Sequence, residues 1–184
     1  MNIEPQAIAA VLLITPQRFG DLRGFFSETY RKSALAEAGF DGEFVQDNHS
    51  LSELRGTVRG LHFQRAPYVQ DKLLRVTRGA ILDVAVDLRP GSPDYGRHVA
   101  LELSAENGRQ LLVPGGFAHG FQTLTDACEI IYKVTDYYAP EAERGVLWCD
   151  PALGVDWPVS PADATVNARD AAWPRLAQLN EAVA

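Results

Sequence analysis

Ile81-Leu82-Asp83-Val84-Ala85-Val86-Asp87-Leu88 alternates with a period of two, and Leu82, Val84, Val86 and Leu88 share one apolar face. That period belongs to a β-strand rather than a helix. Pro90-Gly91-Ser92-Pro93 ends it with turn chemistry. Outward from this stretch, short strands are predicted over 8–14, 57–64, 72–78, 98–103, 109–113, 121–124 and 129–135. Gly79, Asn107-Gly108 and Pro114-Gly115-Gly116 punctuate them, and Asn-Gly is a favoured hairpin turn because both residues tolerate positive φ. One short helix is expected over 34–38, entered after Ser33 and stopped by Gly39. Many short strands with little helix imply an all-β, double-sheet jelly-roll barrel with short peripheral helices. From Pro151 onward the chain is rich in Pro, Ala and Asp, and it is expected to pack across the barrel as loops and short turns.

At 184 residues the chain suits a single domain, 1–184, able to bury its own core. No apolar run approaches the ~20 residues of a membrane helix. Glu4 stands where a signal peptide would carry basic residues, so none is expected. Two cysteines, Cys128 and Cys149, make neither a disulfide framework nor metal-site spacing, which points to the reducing cytoplasm. A net charge of −7 disfavours nucleic acid as a partner. An anionic small ligand would need a local cluster of arginine and lysine.

A barrel interior can hold a ligand, so inward polar residues carry the functional information. His98 falls on the polar side of its strand and reads as a surface residue. His62, in Arg59-Gly60-Leu61-His62-Phe63-Gln64, and His119, in Pro114-Gly115-Gly116-Phe117-Ala118-His119-Gly120-Phe121, resemble the two halves of a cupin signature. A metal-binding cupin needs a second ligand two residues after the first histidine. Gln64 occupies that place, and no carboxylate follows before Asp71, so no metal is expected. Alone, an inward His62 reads as a hydrogen-bonded core residue. Tyr132 shares the apolar side of its strand with Ile130 and Val134, and Lys72 opens another strand. An imidazole, a phenol and an ammonium in one interior supply the base, acid and cation needed for proton abstraction beside a carbonyl.

Across nearly its whole length the chain resembles the dTDP-4-dehydrorhamnose 3,5-epimerase family. The resemblance rests on Phe19-Gly20-Asp21-Leu22-Arg23-Gly24-Phe25-Phe26-Ser27-Glu28, Gln46-Asp47-Asn48-His49-Ser50, Arg59 to Gln64, Lys72-Leu73-Leu74-Arg75-Val76, Gly79 to Arg89, Pro114 to Phe121, and Tyr132 to Glu143. It implies a cupin-type jelly roll, a homodimer, and no cofactor. The implied substrate is a dTDP-linked 4-keto-6-deoxyhexose, dTDP-4-dehydro-6-deoxy-D-glucose, inverted at C3 and C5 to dTDP-4-dehydro-L-rhamnose. His62 would remove the proton, Lys72 would stabilise the enolate, and Tyr132 would return a proton from the opposite face.

The resemblance also assigns Asp170 to His62, although by pattern alone Asp170 reads as a solvated loop carboxylate or helix cap. Arg23 and Arg59 would hold the diphosphate. Glu28, Gln46 and Asn48 would contact the nucleotide, Tyr138 would stack on thymine, and His119 would bond the sugar or diphosphate near Glu143. Strict alternation puts Arg59 and His62 on opposite strand faces unless Gly60 opens a bulge. The chain departs from the family pattern at Asn167 and Arg169, where serine and lysine are common. A single-centre epimerase, a metal-dependent cupin and a non-catalytic sugar-binding cupin are the competing readings.

Overall fold

The computed structural model describes residues 1–179; residues 180–184 of the expected domain lie outside the described residues. Thirteen strands and two short helices follow one another along them: β1 (Asn2–Pro5), β2 (Leu12–Thr15), β3 (Arg18–Asp21), β4 (Gly24–Ser27), α1 (Lys32–Glu37), β5 (Gln46–Ser52), β6 (Val58–Gln64), β7 (Lys72–Arg78), β8 (Ala80–Asp87), β9 (His98–Ser104), β10 (Gln110–Val113), β11 (Phe117–Thr123), β12 (Cys128–Val134), β13 (Glu143–Gly145) and α2 (Ala168–Ala171). They form a six-stranded sheet, β1-β2-β10-β7-β12-β5, a five-stranded sheet, β13-β6-β11-β8-β9, and the separate hairpin β3-β4. Every strand pairing is antiparallel. The two larger sheets are the layers of a jelly roll.

Three apolar clusters make four layers. Between the sheets, Leu74, Val76, Leu111 and Ile130 of one meet Ile81, Ala85, Leu103, Phe117 and Phe121 of the other. On the far side of the five-stranded sheet, Val84, Val86, Leu61 and Phe63 pack against Val146, Trp148, Leu153 and the segment beyond, as expected for the Pro-, Ala- and Asp-rich C-terminal stretch. On the far side of the six-stranded sheet, Leu73 and Leu112 receive Leu35 of α1, with Phe40 and Phe44 alongside.

β8 is therefore buried on both faces, and its clean apolar face is the outer one, beneath the C-terminal segment. The face bearing Asp83 and Asp87 points between the sheets, where both carboxylates are buried. His98, expected at the surface, lies opposite Val86 under the same C-terminal cover, and its Nδ1 meets the Leu153 carbonyl at 2.9 Å.

Four local expectations shift. The predicted strand at 8–14 is a turn at Ile8–Val11 flanked by β1 and β2. The strand at 121–124 begins four residues earlier, at Phe117. α1 starts at Lys32 with Arg31 at its N-cap, so Ser33 lies inside the helix rather than capping it. β5 was not predicted: its alternation carries Gln46, Asn48 and Ser50 on one side and Asp47 and His49 on the other, with no apolar face to signal a strand. Among the described residues no helix is long and apolar enough to cross a membrane.

Candidate active site

A cavity of about 410 Å³ lies between the sheets. Gln46 and Asn48 of β5, Arg59 and His62 of β6, Lys72 of β7, His119 of β11, Tyr132 of β12, Tyr138, Glu143 of β13, and Asp170 of α2 all line it. Asn167, Arg169, Ser50, Gln70 and Phe121 complete much of the remaining wall. Another cavity of equal volume sits on the outer face of the six-stranded sheet, beside Tyr30, Arg75 and Lys133. Its lining holds no imidazole or thiol, and its one carboxylate, Asp47, is paired with Lys133 at 2.7 Å.

Arg59 and His62 share the inner cavity because β6 carries a bulge. Its ladder with β11 pairs His119 with His62 but Phe121 with Arg59, so three steps on β6 match two on β11. The extra residue includes Gly60, at φ 121°, next to a cis Gly60–Leu61 peptide. A Cβ at Gly60 would stand 2.6 Å from Gly120 Cα, and one at Gly120 would stand 2.5 Å from the Arg59 carbonyl oxygen. Only glycine at both positions permits this approach.

His62 Nε2 lies 2.8 Å from Asp170 Oδ1. Asp170 is fully buried although α2 spans only Ala168–Ala171. The Asn167 side chain caps that helix by accepting the Asp170 N–H at 2.7 Å, a task serine can also perform. Asp170 Oδ2 accepts the Gly60 N–H at 3.1 Å. Burial pushes this carboxyl upward, but the His62 hydrogen bond and charge, the Gly60 N–H and Arg169 outweigh it and hold the group below the usual carboxylate range. An ionised Asp170 fixes the proton on Nε2 and leaves Nδ1 with its lone pair, the form a general base requires.

Lys72 Nζ donates to the His62 carbonyl oxygen at 3.4 Å. Burial pulls its ammonium from the usual lysine range down to about 8, against the attraction of Glu143 and Asp83. Burial likewise pushes Tyr132 above the ordinary phenol value, with Arg59 opposing and Glu143 adding. The phenol therefore keeps its proton at neutral pH. Tyr138, at the exposed end, donates to Glu143 Oε2 at 2.8 Å. Gln46 Nε2 donates to Asn48 Oδ1 at 2.8 Å, and Arg59 is held by the Ser52 hydroxyl and the Leu51 carbonyl.

A second imidazole–carboxylate pair, unseen in the sequence, stands beside the first. His119 Nε2 lies 2.8 Å from Asp83 Oδ1 on the neighbouring strand. Asp83 is fully buried, and its Oδ2 has no hydrogen-bond partner among the described residues. The only available signal was the interruption of the β8 apolar run by an acid.

Two expected residues lie elsewhere. Arg23 and Glu28 do not line the cavity of their own chain. Arg23 sits at the tip of the β3-β4 hairpin, where it binds Asp21 at 2.5 Å, and Glu28 pairs with Arg31 at 2.8 Å. Gln64 uses its amide for structure: Nε2 donates to the Tyr68 and Tyr137 carbonyls and Oε1 accepts the Ala139 N–H. Among the described residues no group of three His, Cys, Asp or Glu side chains is placed to hold a metal ion.

Residues 5–178 match the family described as dTDP-4-dehydrorhamnose 3,5-epimerase. The chain is 51% identical over 179 residues to the dTDP-4-dehydrorhamnose 3,5-epimerase of Sinorhizobium fredii, covering 97% of this chain and 91% of that one. It is 54% identical over 157 residues to the enzyme so named from Pseudomonas aeruginosa, covering 85% and 86%. Among solved structures it is similar to a dTDP-6-deoxy-D-glucose-3,5-epimerase from Legionella pneumophila in complex with dTDP-4-keto-L-rhamnose. That likeness has a TM-score of 0.92 at 42% identity and covers 97% of this chain and 94% of the other. Identity at this level over almost the full length, on the same cupin-type jelly roll, leaves one assignment: the chain belongs to the dTDP-4-dehydrorhamnose 3,5-epimerase family.

Proposed function

We propose that this chain epimerises dTDP-4-dehydro-6-deoxy-D-glucose at C3 and C5, giving dTDP-4-dehydro-L-rhamnose without a metal or organic cofactor. The observation that carries this reading is the His62–Asp170 pair, 2.8 Å apart, opening into a cavity shared with Lys72 and Tyr132. His62 Nδ1 takes the proton from the carbon beside the C4 ketone, and the electron pair moves onto the ketone oxygen as an enolate. The Lys72 ammonium stabilises that oxygen, a role strengthened where water is excluded. Tyr132 delivers a proton to the opposite face, which inverts the centre. Arg59 holds the diphosphate, Gln46 and Asn48 contact the nucleotide, Tyr138 stacks on thymine, and His119 with Glu143 binds the sugar–diphosphate region.

NMR of the ketosugar nucleotide incubated in heavy water tests this directly. Deuterium at both C3 and C5 with inversion is expected. Deuterium at one centre alone makes the protein a single-centre epimerase, and none at either centre overturns the catalytic reading.

The enzyme is proposed to work as a homodimer in the cytoplasm, where Cys128 and Cys149 stay reduced. Phe19, Phe25 and Phe26 of the β3-β4 hairpin are more than half exposed and Leu22 is fully so, an apolar surface that a second copy would cover. Arg23 and Glu28 would then serve the partner's cavity. Mixing inactive His62→Asn protein with inactive Arg23→Ala protein tests the crossing. Subunit exchange restores activity if Arg23 acts across the dimer, and restores none if it acts within its own chain.

A further inference from the structure

Arg169 stands between the two ends of the cavity. Its Nη1 lies 2.5 Å from Glu143 Oε2, the same oxygen that accepts the Tyr138 hydroxyl. Its Nε lies 3.5 Å from Asp170 Oδ1, the same oxygen that meets His62. One guanidinium thus spans two carboxylates, one facing the tyrosine at the open end and the other facing the imidazole. Its planar fork is suited to this double task in a way a point charge is not. We propose that Arg169 is a positioning residue that ties the nucleotide end of the cavity to the base, holding Glu143 against Tyr138 and balancing the charge of Asp170 beside His62.

The second half follows from elementary electrostatics and rests on the reading of His62 as the base. A base must enter the reaction neutral. A buried carboxylate favours the imidazolium, and a guanidinium beside that carboxylate reduces the preference. The other charged or titratable groups around His62 are Arg59 of its own strand, Lys72 of β7, His119 of β11 with Asp83 behind it on β8, Tyr132 of β12 and Glu143 of β13. Of all these, Arg169 is the cation within 4 Å of the oxygen that His62 uses. Arg169 is half exposed, so solvent tempers the effect.

The test compares Arg169→Gln, Arg169→Lys and His62→Asn with wild type, following deuterium uptake and net inversion from about pH 5 to about pH 9. Arg169→Gln should move the acid limb of kcat/KM upward by about half to one pH unit, so that the loss is several-fold larger below the limb than above it. Its KM for the nucleotide sugar should also rise, because Glu143 and Tyr138 lose their anchor. Arg169→Lys should return the limb to its wild-type position while KM stays raised, since an ammonium supplies the charge but not the fork. An equal loss at every pH, or a limb that lysine does not restore, would reduce Arg169 to a structural residue and overturn the proposal. Retained exchange in His62→Asn would instead remove the base reading beneath it. An inert His62→Asn with an unmoved limb in Arg169→Gln removes this inference alone.

Discussion

Two histidine–aspartate pairs face the same cavity from neighbouring strands, and their construction differs. His62 and His119 lie directly opposite each other on β6 and β11, and each places Nε2 2.8 Å from a fully buried carboxylate. Asp83, the partner of His119, comes from the adjacent strand of the same sheet. Asp170, the partner of His62, comes from a one-turn helix 108 residues away, and its second oxygen is satisfied by Gly60. The in-sheet pair is a fixed piece of barrel wall. The long-range pair forms only when the C-terminal segment folds over the outer face and returns to the cavity. The contrast suggests that burial of an imidazole beside a carboxylate does not make a base. What sets His62 apart in the proposed mechanism is a fully satisfied carboxylate, with Lys72 donating to the His62 carbonyl and Tyr132 in the same cavity.

The strongest way to break this contrast is to remove each imidazole. His62→Asn should abolish both deuterium exchange and inversion, a loss of at least about 10⁴-fold in the proton-transfer step. His119→Asn should keep exchange and mainly raise KM. Equal losses in the two variants would erase the distinction. Tyr132→Phe comes next: net inversion should fall roughly 10²–10⁴-fold while deuterium still enters with retained configuration, because His62 can abstract and return the proton from its own side. Inversion at the wild-type rate would make Tyr132 a core residue only.

The carboxylates provide a finer test. Asp170→Asn should cost about 10²-fold or more in kcat, since an amide no longer enforces the Nε2–H tautomer. Asp83→Asn should act through Lys72. Under the proposed mechanism the enolate is stabilised by the ammonium, which burial pulls down to about 8, so kcat/KM should fall as pH rises through that value. Asp83 is one of the charges raising it, and its neutralisation should move that alkaline limb to lower pH; a limb that stays in place would disconnect Asp83 from Lys72. The smallest expected effect is none at all: prolonged chelation should leave activity intact, and a loss restored by a divalent ion would overturn the cofactor-free reading.

Much of the sheet framework was legible because its central strands set one clean apolar face against a mixed one, which produces a period-two pattern. β7 was predicted at its observed bounds, and β8 and β12 within a residue of theirs. β5 was not, because a strand whose inner face lines the cavity carries Gln46, Asn48 and Ser50 where periodicity looks for Val or Ile. His62, Lys72 and Tyr132 could be picked out by chemistry, and the cavity gathers them with the binding residues assigned by resemblance, except Arg23 and Glu28. Asp170 could not be found by pattern, since no local rule relates a residue near the C-terminus to one on β6. Asp83 was obscured for a different reason. On β8 the greasier face packs against the C-terminal segment, so the acid that looks like an outward polar residue points into the barrel.

The close approach of Gly60 and Gly120 has a metric consequence. A bulge changes parity along a strand, so residues an odd number of positions apart come to face the same way. On β6 this lets one uninterrupted piece of backbone carry both the guanidinium proposed for the diphosphate and the imidazole proposed for the sugar ring. Across the bulge Arg59 and His62 stand two β11 steps apart, about 7 Å along the sheet, and that span is fixed by sheet hydrogen bonds rather than by a loop. The strand would therefore act as a ruler between the guanidinium and the imidazole in those proposed roles. A side chain at either glycine would force the two strands apart and change the length being measured.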